Sequence, residues 1–399
     1  MTQHDVIVIG AGAAGMMCAA TAGLAGREVL LLDHAMRLAE KIRISGGGRC
    51  NFTNQRVAPE NFISENPKFC RTALLGYTPQ DFIKLVNSYG IGWHEKHRGQ
   101  LFCDDSSEQI ISMLRHECDR GRVKWQMPCT VQSIHRMSGG FELLTTAGSL
   151  RCRDLVVATG GTAVPQVGAT DFALVLARQF DIRVIDPRPA LVPLQFDPHV
   201  WQPFSNLAGV AIQADIGVAD GSKQRFFEDM LFTHRGLSGP GILQISSYWR
   251  PGQSLSINLL PLEGLAEKLL ALKAGAKQQA GTVLGQFWPK RLVEQWLGEQ
   301  GQRKFAEWSD KAIRALVEQI QHWRVMPSGT AGLRKAEVMA GGVDTNALDQ
   351  RTMGVRGIEG LYFLGETVDV TGWLGGYNFQ WAWASGVACG RALAQRVGH

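Results

Sequence analysis

The sequence predicts an α/β protein assembled on an N-terminal βαβ unit, with a further stretch of chain inserted before the C-terminus. Three observations predict it. Val6-Ile7-Val8-Ile9 is a β-branched run that breaks at Gly10, after which apolar residues recur with helical spacing to about residue 25. A second apolar run over residues 28–32 ends on Asp33. At 399 residues the chain is too long for one simple core, so two or three packed units are expected.

A glycine-rich, basic loop over residues 41–54 comes next, followed by amphipathic helical patterns at 68–90 and 107–120. Alternating hydrophobicity at 129–134, 141–144 and 150–157 reads as a meander that ends in a buried strand. The proline-rich run from Asp186 to Pro193 is expected to be a boundary. Beyond it, 209–218 and 253–259 are β-like and 262–324 is helical. The tail returns to a buried strand at 360–364, a second glycine-rich loop and a closing helix to the C-terminus. Residues 1–190 and 336–399 are therefore expected to form one discontinuous domain. It would enclose a β-rich subdomain (191–261 and 322–335) and a helical subdomain (262–321).

Composition narrows the class. With 45% hydrophobic and 19% charged residues the chain is ordinary globular protein, not a disordered one. The formal charge of +5 fits first a cytosolic enzyme's need for solubility, and second a polyanionic partner such as RNA. Eight cysteines fall without a C-x-x-C pair or a metal-ligand rhythm, so neither zinc nor an iron–sulfur cluster is expected. Scattered thiols suit a reducing compartment. The N-terminus has no basic n-region or cleavage site, and no uncharged apolar stretch approaches the ~20 residues of a membrane span. A cytoplasmic location is expected; oligomeric state is not legible.

Gly10-x-Gly12-x-x-Gly15 follows a strand and opens a helix that begins with Ala13 and Ala14. The first glycine permits the tight turn, the second lets backbone approach a pyrophosphate, and the third allows close helix–strand packing. The helix N-terminus supplies free N–H groups and a positive dipole end. Asp33, 18 residues after Gly15, is placed to accept from ribose hydroxyls. Strand, turn, helix and acid in this order predict a dinucleotide. FAD is favoured over NAD because the motif opens the chain, because Val156-Val157-Ala158-Thr159-Gly160-Gly161 forms a second strand-then-glycine element, and because Leu361-Tyr362-Phe363-Leu364-Gly365-Glu366 resembles the strand-Gly-acid element that holds the ribityl chain. Glu366 stands where most relatives of that broad fold carry Asp.

Three further stretches hold candidate residues. In Ser45-Gly46-Gly47-Gly48-Arg49-Cys50-Asn51, the glycines suit close backbone approach to a ligand, and Lys41, Arg43 and Arg49 can engage phosphate. Cys50 beside Arg49 is either a thiol of lowered pKa able to donate a proton or an inert buried one. In Phe232–Pro240, His234 and Arg235 either deliver a proton and hold an anionic or carbonyl group, or they belong to a turn in which Ser238 caps the helix opened by Pro240. Glu337 near Gly341-Gly342 is a further carboxylate. In the tail, Gly375 and Gly376 precede a helix whose N-terminus, at Tyr377-Asn378, can stabilise negative charge on a reduced flavin ring, while Trp373, Trp381 and Trp383 read as core.

The combination of Gly10–Gly15, the S-G-G-G-R-C-N core, Phe232–Pro240 and the run G-E-x-x-D-x-x-G-x-x-G-G-Y-N from Gly365 to Asn378 resembles a bacterial NAD(P)/FAD-dependent oxidoreductase family, across essentially the whole chain. The resemblance implies a glutathione-reductase-type, Rossmann-like FAD domain with β-rich and helical insertions, and it adds Val131 to the cofactor contacts. One branch is associated with bile-acid dehydroxylation; this chain is more similar to a second, which makes dihydrouridine in 23S ribosomal RNA. No second G-x-G-x-x-G unit exists for a nicotinamide, so electrons are expected from NAD(P)H docking directly or from another protein. The expected activity is reduction of an activated C=C bond, with Cys50 or His234 as acid and Arg235 or the glycine-rich loop steadying the enolate. A small-enone reductase and a non-catalytic FAD-bound RNA-binding factor are the alternatives.

Overall fold

Strand Thr2–Ile9 is the hub of the first sheet. In the computed structural model, which describes residues 2–396, it pairs in parallel with Val29–Leu32 on one side and with Gly148–Val157 on the other. Lys124–Gln126 and Leu361–Phe363 extend the parallel sheet outward on those two sides. Val6, Ile7, Val8, Leu31, Val156, Val157 and Phe363 are buried on both faces, which is why these strands read as unbroken apolar runs. Gly148–Val157 also carries the expected meander, pairing antiparallel with Gly140–Thr145, which pairs with Val131–Met137.

Helix Ala13–Leu24 lies against the closing helix Tyr377–Gln395. Small residues make this approach possible: a Cβ on Gly386 would lie 2.7 Å from the Ala14 carbonyl oxygen. The last three residues of the expected closing helix lie outside the described residues. A small sheet of Asn51–Asn54, Gln100–Cys103 and Trp93–Glu95 completes what positions the site.

Two expectations change. Residues 68–90 form two helices, Arg71–Gly76 and Pro79–Ser88, because Pro79 lacks the N–H that would continue the first. Thr78 and Asp81 instead cap the second, the Asp81 carboxylate accepting from Thr78 N at 2.9 Å. The proline-rich stretch does hold the boundary between two units, at Arg188/Pro189, but it is also in part a strand, which was not expected: Val184–Ala190 pairs with Val338–Val343. A two-stranded sheet consists of edges, where proline's missing donor is tolerated.

The chain forms two compact units, one of residues up to Arg188 and from Val338 onward, the other Pro189–Glu337. Within the second, seven antiparallel strands are seen among the described residues, in the order Trp323–Val325, Leu255–Asn258, Ala211–Val218, Arg225–Thr233, Gly236–Ser238, Leu194–Gln195 and Gly329–Thr330. The expected helical stretch is Leu265–Lys273, Ala280–Leu284, Lys290–Leu297 and Asp310–Gln321. Among the described residues no helix is long and apolar enough to cross a membrane, and no cluster of His, Cys, Asp or Glu is arranged to hold a metal.

Candidate cofactor cradle

The parallel strands Val29–Leu32, Thr2–Ile9, Gly148–Val157 and Leu361–Phe363 end side by side, at the edge where open α/β sheets bind ligands. Gly10 leaves the first strand with φ +110°, and a Cβ there would lie 2.4 Å from the Ala158 carbonyl oxygen. A Cβ on Gly15 would lie 1.8 Å from the Gly10 oxygen, so helix and strand touch backbone to backbone. Gly12, by contrast, faces open space, and no side chain caps the helix that follows it. The first-turn N–H groups are thus left for an anion.

Asp33 locks this turn. Its Oδ2 accepts from Ala11 N at 2.7 Å and its Oδ1 from Ala35 N at 2.8 Å. The meander begins beside it, with Cys129 N donating to the Asp33 carbonyl at 2.7 Å, and Val131 follows two residues later, half-buried. Thr159, Gly160 and Gly161 leave the neighbouring strand, and the Thr159 hydroxyl oxygen is shielded from solvent without a hydrogen-bond partner. Gly365 arrives from the outermost parallel strand; a Cβ on it would sit 2.9 Å from Ala14 Cβ.

Glu366 takes two partners. Lys41 Nζ lies 2.6 Å from Oε2, and Met339 N donates to Oε1 at 2.8 Å. The expected free Lys41 cation is therefore held in an ion pair, and the longer glutamate arm is what reaches it. Arg43 is likewise paired, with Glu40 and Glu108. Arg49 is exposed and has no side-chain partner among the described residues, so it is the cation left available in this loop.

The glycine-rich loop adopts left-handed backbone at Gly46 and Gly47; Gly47 faces open space, while Gly46 lies against Phe102, and Ser45 Oγ donates to the Ile42 carbonyl at 2.7 Å. The strand that follows, beginning at Asn51, joins it to the C-terminal turn. Asn54 Nδ2 donates to the Gly375 carbonyl at 2.9 Å, Thr53 Oγ1 meets Gln380 Oε1 at 2.7 Å, and Trp383 Nε1 donates to the Phe52 carbonyl at 2.8 Å. Gly376 must be glycine because a Cβ would lie 2.3 Å from the Thr53 oxygen. Asn378 clamps the turn by accepting from Gly372 N and donating to the Gly372 carbonyl, so its amide is occupied structurally. Tyr377 packs edge-on against Phe62 and Trp373. Trp381 and Trp383 are core, Trp383 stacking on Phe82 with centroids 4.4 Å apart.

Cys50 requires correction. Its side chain is 0% exposed, and burial pushes the thiol pKa up, reinforced by Cys103 and opposed only by a hydrogen bond to Ser45. The adjacent Arg49 does not lower it, because desolvation of a thiolate outweighs an exposed, solvent-screened cation. His234 and Arg235 lie in the inserted unit, as the two-residue turn between Arg225–Thr233 and Gly236–Ser238, both exposed. Ser238 is not the helix cap; Gly239 occupies that position. Glu337 is likewise exposed and closes the inserted unit.

Sequence reasoning missed Met339 and Asn54. Met339 holds Glu366 through its backbone N–H, which any residue but proline could supply, and Asn54 acts through a carbonyl 321 residues away, so neither leaves a local signal.

The residues from 4 to 392 match the HI0933-like protein Rossmann domain. The chain belongs to the HI0933-like family. Within it, the chain is 49% identical over 396 residues to a protein of Escherichia coli named ribosomal RNA dihydrouridine synthase, covering 98% of each. It is 44% identical to the Haemophilus influenzae protein of the same name, covering 99% of this chain and 100% of the relative. A solved quinol-fumarate reductase shares the fold, with a TM-score of 0.50 at 14% identity, covering 99% of this chain and 71% of that one. This member of the family is a Rossmann-fold oxidoreductase. The cradle fits FAD: Gly12 leaves room for it, and the uncapped N–H groups and the orphaned Thr159 hydroxyl are groups a dinucleotide would satisfy.

Proposed function

We propose that this chain binds FAD and reduces uridine to dihydrouridine in 23S ribosomal RNA, with NAD(P)H as electron donor. What carries the reading is a dinucleotide cradle inside a chain that matches, over 98% of its length, an enzyme named for that reaction. Gly10, Gly12, Gly15, Asp33, Thr159, Gly160, Gly161 and Gly365 would hold the cofactor, with Arg49 as a free cation of the glycine-rich loop and the 19-residue helix from Tyr377 presenting its N-terminus. Bound and reduced, FAD supplies a hydride for C6 of the uracil ring. The base must leave its stack to be reached, and C5 must then receive a proton.

Cys50 is a poor source of that proton. A general acid works best with a pKa near the operating pH and contributes roughly 10²–10⁴-fold. Cys50→Ala is therefore expected to lose far less than 100-fold of dihydrouridine formation, with flavin content unchanged. A loss of the full magnitude would reinstate the thiol as the acid.

Ribosomal RNA nucleosides from cells lacking the gene, measured by mass spectrometry, are expected to lack a dihydrouridine that the purified yellow protein and NADPH restore. Unchanged nucleosides, together with NADPH oxidation stimulated by small enones, would transfer the activity to a small-molecule substrate. RNA affinity without any change in flavin redox state would mark a non-catalytic binding factor.

A further inference from the structure

The inserted unit carries a cavity of about 600 Å³, none of whose lining residues belongs to the cradle. Its polar lining is Gln195, Gln202, Ser205, His234, Arg235 and Ser328, and it contains no carboxylate. The nearest acid in sequence, Asp197, lies between Phe196 and Pro198 of the lining, is itself exposed, and caps the following turn, its Oδ1 accepting from His199 N at 2.8 Å.

The backbone bearing the two cationic candidates is held from several directions. Thr233 Oγ1 donates to the Gly236 carbonyl at 2.9 Å and accepts from Arg235 N at 3.4 Å. The Arg235 carbonyl accepts from Phe196 N at 3.1 Å, and the Thr233 carbonyl from Trp201 Nε1 at 2.9 Å. Trp201 stacks on Phe196 beneath the turn, with centroids 4.5 Å apart and planes 16° off parallel. A Cβ on Gly236 would lie 2.1 Å from the Leu194 oxygen, so the hairpin cannot shift outward with a larger residue there. On this fixed turn, both the His234 and Arg235 side chains are exposed and without a partner among the described residues.

A fixed turn that presents an exposed, unpaired guanidinium at a cavity with no carboxylate in its lining favours an anion, and a guanidinium suits a phosphate. Two amides in the same lining can both donate and accept, and two hydroxyls, whose protons go to the Gln202 and Gln195 carbonyls, can accept, which suits a ribose and a base edge.

We propose that this cavity binds a ribose-phosphate unit of the substrate RNA, with the Arg235 guanidinium on a phosphodiester and His234 beside it. The inference rests on the reading of RNA as substrate, and it gives these two residues a binding role in place of the catalytic one expected from sequence. A positioned phosphate contact fixes register without reading sequence.

The test uses the FAD-loaded protein and a fluorescein-labelled, uridine-containing RNA oligonucleotide, followed by anisotropy across a NaCl titration. Arg235→Ala is expected to weaken binding roughly tenfold and to reduce the slope of log Kd against log[NaCl] by about 0.7, the share of one single-strand phosphate contact. Arg235→Lys should recover the slope but only part of the affinity, since an ammonium cannot fork a phosphate. Stopped-flow reduction of the flavin by NADPH should proceed at the parental rate. Parental affinity and slope in Arg235→Ala overturn the proposal. So does slowed NADPH reduction with RNA binding intact, which would give the cavity to the dinucleotide's phosphate. If the parent protein itself binds no RNA, the substrate reading fails and the proposal fails with it.

Discussion

Gly15→Val is expected to give a protein that purifies without flavin and melts well below the parent. The helix Ala13–Leu24 meets the first strand through Gly15, where even a Cβ would lie 1.8 Å from the Gly10 oxygen and 3.3 Å from Ala158 Cβ. The obstructing Gly10 atom is backbone, so no side chain can rotate aside. The helix must retreat, and overpacking of this kind costs about 1–3 kcal/mol or more. Retreat also withdraws the uncapped N–H groups from any pyrophosphate. Gly12→Ala separates the two effects. Its Cβ meets nothing within 4 Å, so the melting temperature should hold while flavin affinity falls as a methyl enters the ligand's space. Absorbance near the flavin band and a thermal melt on both variants check this; Gly15→Val with a full flavin complement would refute the packing argument.

Asp33→Ala is expected to weaken FAD binding by about 100-fold, read by fluorescence titration of the apoprotein. The carboxylate accepts from Ala11 N and Ala35 N, and Ala11 is fully buried, so truncation strands a donor that water cannot reach. Hydrogen bonds to a charged group contribute about 1.5–3 kcal/mol, and a stranded buried donor costs a similar amount. Asp33→Asn keeps an acceptor for Ala11 and should fall between parent and Asp33→Ala. Equal affinity in all three would show that the acid neither shapes the turn nor meets the ribose.

Much of the first unit was legible because its signals are local. Val6–Ile9, Gly10, Gly12, Gly15 and Asp33 lie within one βαβ unit, and each has a conformational or packing reason that adjacent residues reveal. The longest strand of the inserted unit, Arg225–Thr233, was not read. Its buried series is Phe226, Glu228, Met230 and Phe232, while Phe227 is exposed, so an acid inside and an aromatic outside erase the alternation. The helical pattern at 68–90 hid a break because Thr78-Pro79 interrupts the backbone without interrupting the apolar spacing.

The sequence by itself determined that a dinucleotide-type turn opens this chain and that the C-terminal glycine run belongs to the same fold, since turn, strand and helix propensities act over a few residues. Only the tertiary structure decided which charges are free. Lys41 and Glu366, 325 residues apart, neutralise each other, Arg49 is left available, and Cys50 is sealed from solvent beside it. Burial and ion pairing depend on what packs against a side chain from distant parts of the chain, and no spacing in the primary structure encodes that neighbour.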